Sequence, residues 1–312
     1  MVYEMKVLVT GGLGFIGSKT VKALIDAEHE VIIIDNLKTG SLENIEKSNK
    51  IHIVIGDIRD QQLIKKLMKD VDAVIHLAAI VSVEEAQMEP KLTLDVNVNG
   101  TATILEESVK AEVDKFIYAS SAAVYGESTK IPISEDVPLS PKNIYGASKA
   151  CGELLINAYA ESYGLRTVIL RYFNVYGPAL SMGETSGVIL KFIYAALKNK
   201  PVTIFGDGRQ TRDFIYVDDV AQINVLSIEK NICGCYNIGT GIATRILDLA
   251  KKIIRLTKSN SQIVHLKERV GDIRFSVADI TKIKNDLGWE PRYNLDKGLI
   301  STINYLRPLI GP

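Results

Sequence analysis

Tyr145 and Lys149 stand four residues apart in a stretch, 144–163, whose periodicity predicts a helix, so their side chains share one helix face. Such a pair can move a proton in step with a hydride. A phenol starts near pKa ~10, and both an adjacent ammonium and the positive ring of an oxidised nicotinamide favour the phenolate. The spacing alone is cheap: 13 tyrosines and 26 lysines in 312 residues make about one YxxxK expected by chance, and the chain has two more, Tyr194/Lys198 and Tyr293/Lys297. Position selects among them. Tyr145/Lys149 follows the apolar run KFIYAS at 115–120, whose end carries Ser120 and Ser121, and a serine hydroxyl there could orient a substrate oxygen and share its proton. The other two pairs read as solvated surface pairs.

A second constellation lies at the other end of the same half. TGGLGFIG follows the first apolar run and places Gly11, Gly14 and Gly17 in GxxGxxG spacing, with Gly12, Gly14 and Gly17 also satisfying GxGxxG. Glycines allow the tight strand-to-helix turn, the approach of a pyrophosphate to backbone, and close helix-to-sheet packing, while the helix start offers N–H donors. Asp35 ends the second run, where a carboxylate accepts from both ribose hydroxyls and repels a 2′-phosphate, which favours NAD over NADP; Lys38 nearby pulls the other way. Asp57 after the third run could accept from the adenine amino group, and Ala78 and Ala79 after the fourth let a dinucleotide lie against the strand ends.

The elements that must position these residues are legible as runs of β-branched side chains at 6–10, 30–35, 51–55, 72–79, 115–120 and 167–172, separated by helical segments, of which 91–112 and 144–163 are long. Gly164 lies where a C-cap is expected. This alternation predicts an α/β fold with a Rossmann-type doubly wound parallel sheet, ligands sitting beyond the carboxyl ends of the strands. After about Tyr176 the rhythm changes, so the expected organisation is a dinucleotide-binding domain over 1–176, with 213–240 returning to it, and a smaller α/β substrate-binding lobe over 177–212 and 241–312. Lysine plus arginine equals aspartate plus glutamate at 37 each, which gives no general pull toward nucleic acid or an anionic membrane. No apolar run reaches the ~18 residues of a membrane span, and MVYEMKVLVT lacks a signal-peptide layout, so a soluble cytoplasmic protein is expected. Cys151, Cys233, Cys235 and four scattered histidines imply neither a disulfide framework nor a metal site.

TGGLGFIG, the DN at 35–36, HLAA at 76–79, SSAAVYG at 120–126, YGASK at 145–149 and RYFNVYGP at 171–178 resemble the extended short-chain dehydrogenase/reductases that act on nucleotide sugars, and GDGRQTRDFIYVDDV and ERVGDIRFSVADITK extend the resemblance over nearly the whole chain. Within that group the sequence is most similar to UDP-glucose 4-epimerases. The resemblance implies a tightly held NAD, removal of hydride from C4 of a UDP-sugar while Tyr145 takes the hydroxyl proton, and return of the hydride to the other face of the 4-keto sugar. It selects Ser121 over Ser120 as the catalytic serine. It adds Phe15, Ile16, Asn36, Ile58, Leu77, Asn99 and Tyr172 to the cofactor contacts, with Phe173 near the nicotinamide. It assigns Asn174, Val188, Thr203, Phe205 at the uracil, Arg212 and Arg269 at the diphosphate, Asp272 and Ser276 to the substrate. Guanidinium forks suit phosphate oxygens.

Two departures refine the expectation. Sugar-nucleotide dehydratases of this superfamily carry Asp-Glu just before VYG to eliminate water; Ala122 and Ala123 stand there, with no proton-transfer group, which disfavours dehydration and the related decarboxylation. Ala123 also replaces a threonine common in the epimerases, and Val81 a lysine of some bacterial members. Ser276 stands where some members have a large tyrosine, and a small residue leaves room for an N-acetyl group, so UDP-N-acetylglucosamine/galactosamine are expected substrates beside or instead of UDP-glucose/galactose. The competing readings are another NAD-dependent sugar-nucleotide enzyme, an oxidoreductase or decarboxylase, and a non-catalytic dinucleotide-binding protein. The family commonly forms homodimers through its two long helices, and Leu154, Leu155, Ile156 and Tyr159 suit that role.

Overall fold

A computed structural model describes residues 4–179, 187–268 and 273–310. The β-branched runs become strands β1 (Lys6–Thr10), β2 (Glu30–Asp35), β3 (Ile51–Ile55), β4 (Ala73–His76), β5 (Lys115–Ser121) and β6 (Arg166–Tyr172). Together with Gly234–Ile238 they form a seven-stranded sheet in the order Gly234–Ile238, β6, β5, β4, β1, β2, β3, with β1 to β6 paired in parallel. The order reverses between β1 and β4, the switch point at which open α/β sheets bind ligands. This is the expected Rossmann-type α/β fold.

Two elements differ from the sequence expectation for identifiable reasons. The run 72–79 stays in the ladder only as far as His76: the Leu77 amide donates to the Thr10 carbonyl (3.1 Å) and the Ala78 amide to Thr10 Oγ1 (3.1 Å), turning the chain out of the sheet. The helix expected over 91–112 is three pieces, Pro90–Leu94, a wider π-type turn over Asp95–Gly100, and Thr101–Lys110. Gly100 sits on this turn because a Cβ there would lie 2.6 Å from Ile58 Cδ1. The helix Ile144–Tyr163 starts on Asn143, whose Oδ1 accepts from the Gly146 amide (2.8 Å), and ends on Gly164 at φ 70°, the left-handed cap that glycine supplies without strain.

The chain divides into two compact units. The first comprises the residues through Tyr125, Leu139–Tyr172 and Val220–Tyr236; the second comprises Gly126–Pro138, Phe173–Asp219 and the chain from Asn237 onward. In the first, Leu8, Ile34, Val74, Phe116, Tyr118, Ile156 and Ile169 pack one core face of the sheet, each large aliphatic contributing roughly 1.5–3 kcal/mol by burial. In the second, the helices Val188–Leu197, Ile246–Thr257 and Leu295–Ile310 enclose Ile193, Val202, Leu249, Ile253, Leu299 and Leu306. Its tyrosines are stacked, Tyr216 on Tyr293 at 4.3 Å. Among the described residues no helix is long and apolar enough to cross a membrane.

Candidate active site

The glycine turn is built as the spacing requires. Gly11 has φ 69°, its amide donates to the Ile34 carbonyl (2.8 Å), and a Cβ on it would lie 2.9 Å from Ala78 Cα. Gly14 is the N-cap of the helix Phe15–Asp26 and brings no capping side chain to the first-turn residues Phe15, Ile16 and Gly17. Gly17 packs so closely that a Cβ would lie 2.1 Å from the Gly11 carbonyl oxygen. This side-chain-free cradle, with a helix N-terminus behind it and a carboxylate at the next strand end, fits a dinucleotide pyrophosphate and ribose.

Asp35 is buried, its Oδ2 accepting from the Leu13 amide (3.1 Å) and Oδ1 from the Leu37 amide (2.8 Å), so its orientation is fixed by backbone. Asn36 is exposed and its Oδ1 accepts from the Lys38 amide (3.1 Å). Lys38, the cation that favoured NADP in the sequence, pairs with Glu85. Asp57 takes a fork from Arg59, Nε to Oδ1 at 2.9 Å and Nη2 to Oδ2 at 2.7 Å, which holds its carboxyl below the usual range. Arg59 also reaches Asp95 (2.6 Å), which accepts from Asn99 Nδ2 (3.0 Å), so Asp57 and Asn99 belong to one polar network beside buried Ile58. Leu77, Ala78 and Ala79 are half-buried past the end of β4. Tyr172 is buried, its hydroxyl donating to Asn224 Oδ1 (2.5 Å), and burial raises its pKa above the ordinary phenol value.

The acid–base group lies in the same unit. Ser121 ends β5 and its Oγ accepts from the Ala123 amide (3.2 Å) in the short turn Ala122–Val124. Tyr145 lies in the first turn of its helix, where the Ser121 side chain favours its ionised form. Lys149 is buried one turn later; its ammonium donates to the Ala119 carbonyl (2.8 Å) and sits 4.9 Å over the Tyr118 ring. Burial pushes Lys149 down to about 7, with Glu153 opposing the fall. Sequence reasoning expected Lys149 to draw Tyr145 downward. Burial is the larger influence on Tyr145 and raises it, with the Ser121 side chain opposing the rise.

Sequence reasoning missed the residues that hold this group. Buried Asn97, on the π-type turn, accepts from the Ile80 amide (2.8 Å), donates to the Ile80 carbonyl (2.9 Å) and to Ser148 Oγ (2.9 Å), and so clamps the helix of Tyr145 and Lys149 against the end of β4. An amide inside an otherwise helical pattern was the available signal. His76 bridges Thr10 Oγ1 (2.7 Å) and Thr101 Oγ1 (2.9 Å); burial and then Lys149 lower it to about 3, so it is neutral. Glu153 and Arg171 form a buried pair under the helix; the sign of it was a carboxylate four residues past Lys149.

The other candidates fall in the second unit. Asn174 donates through its backbone N and Nδ2 to the Asp213 carbonyl (3.0 and 2.9 Å). Val188 opens the helix Val188–Leu197. Thr203 and Phe205 alternate outward on the strand Val202–Phe205, which pairs with Ile263–Leu266. Arg212 and buried Ser276 are register partners in a parallel pair, and Arg212 Nη1 donates to the Thr211 carbonyl (2.9 Å). Arg269 and Asp272 lie outside the described residues. Among the described residues no cluster of three or more His, Cys, Asp and Glu is disposed to hold a metal.

Comparison with known proteins bears on the same residues. The model of the NAD dependent epimerase/dehydratase family matches residues 7–239. A putative UDP-glucose 4-epimerase of Methanocaldococcus jannaschii is 42% identical over 96% of this chain and 98% of its own. The structure of UDP-glucose 4-epimerase with UDP-glucose from Thermotoga maritima superposes with a TM-score of 0.94 at 38% identity, covering 98% of this chain and 100% of that one. That of UDP-N-acetylglucosamine 4-epimerase from Methanobrevibacter ruminantium M1, in complex with UDP-N-acetylmuramic acid, gives 0.93 at 38%, covering 97% and 98%. With the glycine cradle and Asp35 fitted for a dinucleotide, these likenesses place the chain in the NAD-dependent epimerase/dehydratase family.

Proposed function

We propose that the chain is a UDP-sugar 4-epimerase. The observation that carries the reading is Tyr145 beside Ser121, one helical turn before buried Lys149, with a turn after Ser121 whose Ala122 and Ala123 offer no second proton-transfer group. Bound NAD supplies reversible hydride acceptance at C4. Tyr145 takes the C4 hydroxyl proton and later returns it, Ser121 orients that oxygen, and Lys149 supports the phenolate and the nicotinamide ribose. With the hydride returned to the opposite face of C4 and the proton to its oxygen, C4 is inverted and no net redox change results. The cofactor lies along Gly11, Gly14, Phe15, Ile16, Gly17, Asp35, Asn36, Asp57, Ile58, Leu77, Ala78, Ala79, Asn99 and Tyr172. Asn174, Val188, Thr203, Phe205, Arg212, Arg269, Asp272 and Ser276 serve the sugar nucleotide, and the small Ser276 suits an N-acetyl group.

The test incubates the purified protein, without added NAD, with UDP-glucose and separately with UDP-N-acetylglucosamine, and separates the products by chromatography. Interconversion of C4 epimers with no rise in reduced-nicotinamide absorbance is expected. Accumulating reduced cofactor or a keto product would replace the epimerase reading with an oxidoreductase or dehydratase. Conversion of UDP-glucose with complete inertness toward the N-acetylated sugar would sink the Ser276 argument.

The same reading includes a homodimer. Leu154 is 64% and Leu94 42% exposed on the two long helical segments, apolar surface that suits a helix-to-helix contact. A Leu154→Asp variant is expected to sediment as a monomer where the unaltered chain sediments as a dimer. Identical sedimentation of the two at the same concentration would rule out this face.

A further inference from the structure

We propose that the buried pair Glu153–Arg171 is a positioning device that keeps Lys149 protonated beside Tyr145, an inference that rests on reading Tyr145 and Lys149 as the acid–base pair. Glu153 and Arg171 are 2% and 6% exposed. The guanidinium makes a fork, Nε to Oε1 at 3.0 Å and Nη2 to Oε2 at 2.7 Å, while Nη1 donates to the Tyr125 hydroxyl at 2.8 Å. Ser120 donates to the same Glu153 Oε1. Consecutive serines at the end of β5 thus engage one helix at two levels: Ser121 at Tyr145, Ser120 at Glu153 two turns on.

Stability is a poor account of such a pair, because desolvating two charges offsets most of their attraction and apolar replacements of similar volume are often as stable. Its place explains it better. Lys149 is buried, and a buried amine surrenders its proton unless a negative charge stands near. The groups that bear on it are Glu153, one turn on along its own helix, the Ala119 carbonyl and the Tyr118 ring from β5, and neutral His76 from β4. Among these Glu153 is the carboxylate whose charge supports the ammonium. Arg171 fixes that carboxylate through its guanidinium fork, and Ser120 fixes it from the strand side.

The active form needs Tyr145 able to lose its proton and Lys149 able to keep its own, so raising the pH through the lysine titration ends activity. With Glu153 neutralised the lysine gives up its proton at lower pH, and the alkaline limb of the pH–rate profile moves toward acid. The experiment records UDP-glucose epimerisation against pH for the NAD-loaded protein, Glu153→Gln, the double variant Glu153→Gln/Arg171→Gln, Glu153→Asp and Tyr145→Phe. In both neutral variants the limb should fall by about one pH unit, a tenfold loss of rate at pH values above it. Glu153→Asp keeps the charge and should restore the limb to within a few tenths of a unit. A limb that stays in place in a folded neutral variant overturns the inference, and so does failure of both neutral variants to fold, since the pair would then be structural. Tyr145→Phe separates the two ideas: if it retains activity the underlying reading fails, and if it is dead while the limb stays in place, only the role of Glu153–Arg171 fails.

Discussion

Tyr145→Phe is expected to lower turnover by ~10²–10⁴-fold or more, the contribution of a positioned acid–base group, while purified protein still carries NAD. The substitution removes one oxygen and keeps the ring in the first helical turn. Ser121 keeps its bond from the Ala123 amide. Neither Gly11, Gly17 nor Asp35 depends on the phenol: their contacts are with Ala78, Gly12, Leu13 and Leu37. The loss is therefore chemical rather than structural, and the measurement pairs chromatographic product analysis with the NAD released on denaturation. Full turnover in the variant would refute the assigned role. The size of the loss follows from the setting: the turn after Ser121 carries only Ala122 and Ala123, and Lys149, read as the ammonium, has no free pair with which to take the proton. Neutral His76, lowered to about 3 and occupied by Thr10 and Thr101, is no substitute.

The strands were legible because each is a short β-branched run, buried along most of its length in β1, β2, β4, β5 and β6, while β3 at the sheet edge showed by composition alone. Gly11, Gly14, Gly17 and Asp35 drew the dinucleotide reading because they follow β1 and end β2, and Tyr145/Lys149 because they are the YxxxK pair that comes after β5 in the chain. What sequence could not show were the partners that arrive from far away. Asn97 meets Ile80 and Ser148 across 17 and 51 positions, and Arg171 meets Glu153 across 18. No local period encodes such pairings. Lys38 weighed against the NAD reading for the same reason: its partner Glu85 lies on a separate helix, 47 positions on. The break at Asp95–Gly100 left a trace in DVNVNG, all weak helix formers, which the helical runs on either side outweighed; its cause is tertiary, the Asn97 clamp and the Ile58 side chain against Gly100.

Gly17→Ala is the substitution expected to separate cofactor retention from chemistry. The new methyl would lie 2.1 Å from the Gly11 carbonyl oxygen and 2.7 Å from Gly12 Cα, distances at which backbone must move. The turn has little freedom to yield: Gly11 is already at φ 69°, and even a Cβ on it would lie 2.9 Å from Ala78 Cα. Relief therefore comes by pushing the helix Phe15–Asp26 away from the sheet, which strains the packing by about 1–3 kcal/mol and moves the first-turn amides from the pyrophosphate. NAD content of the purified variant should fall at least tenfold, about 1.4 kcal/mol of binding, and Tm should drop with it. Gly14→Ala is the graded control, since its Cβ meets the Gly11 oxygen at 3.2 Å and a shift of a few tenths of an ångström relieves it. Stoichiometric NAD and an unchanged Tm in Gly17→Ala would show that the cradle does not hold the pyrophosphate. Both this variant and Tyr145→Phe lose turnover, but by opposite routes: one keeps Ser121, Tyr145 and Lys149 and loses the hydride acceptor, the other keeps the acceptor and loses the proton acceptor. Excess NAD should return activity to Gly17→Ala and none to Tyr145→Phe, which makes added cofactor the discriminating measurement.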